Sequence, residues 1–171
     1  MKNILQYING ITETIEKFVV FLSIFLMMAN STANAIGRYV FDKSLFFSEE
    51  LNQFLIVAIT FIGFAYAVRK GRNIRMTAMY DALGYGPKKI LMTIITITTG
   101  LLMFYLAYKA IFYVIELKDI NRLSPALQFP VYIIYAIIPV GLGVAGLQYL
   151  TAFFMNVTHK EIYLSHDVTD S

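Results

Sequence analysis

The sequence predicts an all-α integral membrane protein with four transmembrane helices and a short interfacial amphipathic helix. Three observations carry that reading. Of 171 residues, 58% are hydrophobic and only 15% charged, with a mean hydropathy of +0.64, so a soluble fold of this size could not cover its apolar surface. Apolar runs able to cross a hydrocarbon core of about 30 Å recur along the chain, three long and one shorter. Between the second and third runs lies a cluster of Arg and Lys, the mark of a cytoplasmic loop.

The first span is placed at about 18–36, bracketed by Lys17 and Arg38. The second runs over about 51–69, with Ser48 as a helix N-cap and with Glu49 and Glu50 in the first turn, where carboxylates complement the positive end of the helix dipole. Its apolar part, Phe54 to Val68, would cover only about 22 Å at about 1.5 Å per residue, which puts residues 49–53 at the outer interface or against protein. Next, Met76, Met79, Tyr80 and Leu83 recur at helical spacing and predict an interfacial helix over about 76–84. Gly84 can end it, and Pro87 suits the first turn of the third span, about 90–115. Lys109 lies 20 residues beyond Lys89, about 30 Å along a helix axis, which places it near the opposite interface with its ammonium snorkelling to water.

Two X-Pro steps, Ser124-Pro125 and Phe129-Pro130, keep the next connection non-helical. In the fourth span, about 132–155, Pro139 is expected to kink the helix, and Gly141 with Ala145 to allow close packing, as does Gly63 in span two. Residues 1–155 thus form one membrane domain, and 156–171 a polar tail expected to be mobile.

Orientation follows from the basic residues. The loop after span two carries Arg69, Lys70, Arg72, Arg75, Lys88 and Lys89 against one acid, Asp81, so it is expected to be cytoplasmic, as are both termini and the tail. The same cluster is a topology signal rather than a nucleic-acid site. Ala33-Asn34-Ala35 resembles a signal-peptidase site, but Glu13 and Glu16 upstream and the length of the apolar stretch argue for a retained N-terminus.

Asn30, Asn34 and Arg38 are spaced by four, with Ser23 seven residues before Asn30, so one face of span one is polar. Such a stripe faces other helices, either within the chain or in a second protein. Arg38 is expected to meet Glu49 or, preferably, Glu50 across the short outer connection, with both helix ends at one depth. Candidate chemistries fall away in turn. There is no cysteine, no metal or nucleophile constellation, and both histidines, His159 and His166, sit in the tail, away from any haem in the spans. Residues 84–89 lack the spacing of a phosphate-binding loop. No acid lies in mid-span and no repeat carries matched broken helices, against a self-sufficient coupled carrier.

The run Asn34-Ala35-Ile36-Gly37-Arg38-Tyr39-Val40-Phe41, then Phe47 to Leu51, Gly63 to Ala67 and Arg69 to Ile74, resembles the small, DctQ-like membrane subunit of tripartite ATP-independent periplasmic (TRAP) transporters. In span four, Pro130, Tyr135, Pro139 and Gly141 are similar to that family's pattern, while Phe47 and Asn73 stand where it usually has Trp and often His. The resemblance implies a non-enzymatic subunit of the bacterial inner membrane. Its partners would be a large multi-span membrane subunit, a periplasmic substrate-binding protein and membrane lipids. It implies no cofactor here, since the coupling sodium belongs to the large subunit, and overall length suggests the sialic-acid branch. Two other readings stay open: a stand-alone four-helix carrier or channel, and the membrane anchor of another complex.

Overall fold

A computed structural model describes residues 2–71, 83–159, 161–165 and 168–169. Helix α1 runs over Lys2–Val40, α2 over Ser48–Arg69, α3 over Tyr85–Asp119, α4 over Val131–Tyr135 and α5 over Ile137–Thr158. Four segments are long and apolar enough to cross a membrane: residues 10–40, α2, α3, and α4 with α5. The predicted interfacial helix, with Arg72 and Arg75, lies almost wholly outside the described residues.

Each boundary has a local cause. Helix α1 extends far beyond the predicted 18–36 because nothing in residues 2–17 stops it; Glu13 and Lys17 pair across one turn at 2.7 Å. Ser48 does not cap α2. It is the first helical residue and is buried, while Phe47 holds the cap position without a side-chain bond. The other end of α2 closes on Gly71, whose φ of 62° is left-handed and lets the Lys70 and Gly71 amides donate to the carbonyls of Tyr66 and Val68. In the fourth span Pro139 has no N–H to offer Tyr135, and the helix breaks at Ala136, separating α4 from α5.

The spans pack in the order α1, α2, α5, α3, and among the described elements α1 packs substantially on α2 alone. Four helices therefore form one open layer rather than a closed ring. Gly141 lets α5 approach α2 so closely that an added Cβ would stand 2.5 Å from the Phe61 carbonyl oxygen. Ala145, with no exposed surface, packs there with Ala65 and Val68. On the other side of α5, Gly146 accommodates the Phe104 ring of α3. Gly63 is looser, with Val20 of α1 at an ordinary contact distance from its position.

The described residues of the tail, 161–165 and 168–169, are held in place rather than free, against the sequence expectation. Asn156, buried at the end of α5, donates to the carbonyls of Ala152 and Tyr163 and accepts the Tyr163 amide. Ile162 then buries against Met92 of α3, and Tyr163–Ser165 pairs antiparallel with Val168–Thr169.

Candidate functional site

The chemistry of this chain lies in polar seams that join its helices. On α1 the buried residues Glu16, Ser23 and Asn30 recur every seven residues, while Phe18, Phe21, Phe25 and Met28 face outward. The helix is inside-out relative to a soluble one, as expected where lipid replaces water and only polar groups gain by facing a neighbour.

At the end of this seam nearest the α1–α2 connection, Asn30 Nδ2 donates to the Ser48 carbonyl at 2.9 Å and to Asn52 Oδ1 at 2.8 Å, and Asn52 Nδ2 donates to Ser31 Oγ at 3.0 Å. Asn34 Oδ1 accepts the Leu45 amide at 2.7 Å. Two members of the predicted stripe therefore spend their hydrogen bonds inside the chain. Arg38 is exposed and, among the described residues, pairs with neither Glu49 nor Glu50. The predicted pair fails because the connection doubles back along α1. The Lys43 amide donates to the Gly37 carbonyl and Leu45 reaches Asn34, so α2 starts near the level of Asn34, and α1 outlasts that start by about 9 Å.

Glu50 turns the other way. Its carboxylate accepts from Ser124 Oγ, from the Ala126 amide at 2.8 Å and from the Leu127 amide at 3.0 Å, stapling the start of α2 to the turn between α3 and α4. That turn is compact, with Asn121 and Gln128 at positive φ and the Ser124 amide bonded to the Phe129 carbonyl. Glu49 is exposed.

At the other end of the seam lies a bidentate ion pair. Arg69 Nε and Nη2 donate to the two oxygens of Glu16, both at 2.9 Å, with the side chains only 3% and 5% exposed. Lys70 reaches Glu13 at 2.8 Å, and both Lys17 and Lys70 approach the Tyr66 ring. Lys89 donates to the His159 carbonyl at the end of α5, and Lys88 is half-buried. Arg69, Lys70 and Lys89, read from sequence as a loop signal, thus also bond between elements. Sequence reasoning missed the Glu16–Arg69 pair, although Glu13 and Glu16 stood out as unusual acids beside a span. No group of three or more His, Cys, Asp or Glu that could hold a metal occurs among the described residues.

These seams hold an open layer of helices together, and no group of metal-ligating side chains occurs among the described residues. The sequence profile described as tripartite ATP-independent periplasmic transporters, DctQ component, matches residues 27–159. The chain belongs to this family. It is 44% identical over 170 residues to the ectoine TRAP transporter small permease protein TeaB of Halomonas elongata, covering 99% of this chain and 88% of the relative. A more distant relative is the isethionate TRAP transporter permease protein DctMQ of Oleidesulfovibrio alaskensis, 23% identical over 129 residues, which are 74% of this chain but only 20% of that one. This DctQ-family chain is accordingly a small permease subunit of a TRAP transporter, a multi-pass inner-membrane protein and not an enzyme.

Proposed function

We propose that this DctQ-family subunit is a non-catalytic flank of the membrane scaffold, broadening the large membrane subunit that carries solute and sodium while a periplasmic binding protein delivers the solute. The observation that carries the proposal is the single open layer: four spans with polar groups turned into the seams and apolar faces left outward form an extended wall, with no closed ring of helices among the described residues. The match over one fifth of DctMQ, a permease protein whose own name joins M and Q, agrees with such a pairing. Arg38 and Glu49, exposed near the outer ends of α1 and α2, are the members of the predicted polar set that could meet a partner. The solute is ectoine or a close chemical relative rather than sialic acid, because the 44% identical relative is named for an ectoine transporter. Both termini are cytoplasmic, on the side of Arg69, Lys70, Lys88 and Lys89.

Reconstitution tests this directly. Proteoliposomes holding both membrane subunits, with ectoine-loaded binding protein outside and an inward sodium gradient, are expected to take up ectoine. Those holding this chain alone are expected to take up none. Uptake by the chain alone, or by the large subunit undiminished without it, would refute the scaffold role.

A further inference from the structure

Lys109 stands apart from every seam described above. It is exposed on α3, its ammonium lies 5.7 Å from the centre of the Tyr105 ring, and no carboxylate among the described residues pairs with it. The surrounding face is apolar, with Leu101, Leu102, Tyr105 and Phe112 all exposed.

Its depth follows from two independent contacts. Phe104 packs on Gly146 of the antiparallel α5, so Lys109, five residues further out, stands level with about residue 141. Four residues beyond Lys109, the Tyr113 ring meets Tyr135 at 5.8 Å, which puts Lys109 level with about residue 139, within about 3 Å of the first level. Gly141 in turn lies against the Phe61 carbonyl of α2. Phe61 is about 16 Å along α2 from Glu50 and about 12 Å from Arg69, the polar ends of that span. The Glu50 staple to Ser124 holds the outer ends of α2 and α3 in common register. Lys109 therefore sits in the middle of the layer, too deep for its stem to carry the ammonium to either surface. The sequence expectation, which counted from Lys89, placed it at the outer interface; the error arose because α3 overshoots the bilayer on the cytoplasmic side, beginning at Tyr85.

We infer that Lys109 is an intersubunit cation, bonded in the assembled transporter to a carboxylate on a membrane span of the large subunit. The inference rests on the proposed partnership and names its contact. A lone ammonium facing lipid at mid-depth is strongly unfavourable, and such groups pair with other membrane-embedded groups. Helix α3 is the edge of the layer, so its outer face is open to a neighbour. The Tyr105 ring supports the cation by its π-face yet leaves its hydrogen-bond donors unfilled.

The test co-expresses a tagged copy with its large subunit. Lys109→Met keeps the stem and removes the charge, so it is expected to insert at wild-type level while recovery of the large subunit falls about tenfold or more, and Lys109→Arg is expected to restore most of it. A photoreactive residue at 109 is expected to capture the large subunit. Undiminished recovery with Lys109→Met, or cross-links to lipid only, would overturn the inference. A loss of the Met variant's own membrane level would do so too, since the lysine would then serve folding. If the wild-type chain fails to recover the large subunit at all, the partnership itself falls, a result distinguishable from each of these.

Discussion

The Glu16–Arg69 pair sets how firmly α1 is held, since among the described elements α1 packs substantially on α2 alone. Both bonds are 2.9 Å and join one guanidinium edge to one carboxylate, with both side chains almost fully buried. Removing one partner leaves a buried, uncompensated charge, which costs about 3–5 kcal/mol, whereas removing both costs much less. Glu13 already engages Lys17 and Lys70, so neither lysine is idle to replace Arg69. Arg69→Met and Glu16→Gln are each expected to lower unfolding free energy in mixed micelles by about 3 kcal/mol, roughly a hundredfold in the equilibrium constant, with a coupling of about 2 kcal/mol in the double variant. Effects that add to within about 0.5 kcal/mol would show that the pair does not hold the helices and would refute the reasoning.

Other perturbations test the remaining seams. Gly141→Val places a side chain against the Phe61 carbonyl and is expected to separate α2 from α5, with a loss of about 2–4 kcal/mol read by the same titration. Glu50→Ala removes the acceptor of two backbone amides and the Ser124 hydroxyl, and is expected to raise proteolysis between residues 121 and 130 while Glu49→Ala leaves it unchanged. Asn156→Leu is expected to release the tail, seen as at least tenfold faster amide exchange at Tyr163, about 1.4 kcal/mol of local stability. Cysteines at Ser44 and Ser124 are expected to react with an impermeant maleimide from the periplasm once the outer loops are loosened by Glu50→Ala, and one at Gly86 is not; the reverse pattern would invert the topology.

The four spans were legible because the bilayer imposes length and apolarity on a helix, constraints local enough to read along the chain, and the family was legible only through the resemblance carried by runs such as Asn34 to Phe41. The polar stripe on α1 was legible as a face, and the seven-residue step from Ser23 to Asn30 was the visible part of a seam that also includes Glu16. What it met was not legible. Whether Asn30 bonds Asn52 or another protein depends on the path of residues 41–47, which the Asn34 and Gly37 contacts fix only in three dimensions. Arg38 was matched to Glu50 by assuming equal depth, and the doubling back of that connection removes it. Glu50, matched to the helix dipole and to Arg38, instead bonds the 124–127 turn; Asn156, placed in a polar tail, bonds Tyr163; and Arg69, read as a loop charge, also bonds Glu16.

The central claim is that this chain works as one layer of a larger membrane assembly. Native mass determination of the tagged chain, co-expressed with the large TRAP subunit and purified in mild detergent, tests it most directly. The account predicts a single species containing one copy of each, from which the chain alone dissociates as an intact helical protein. Recovery of the chain only as a monomer or as a homo-oligomer would contradict it.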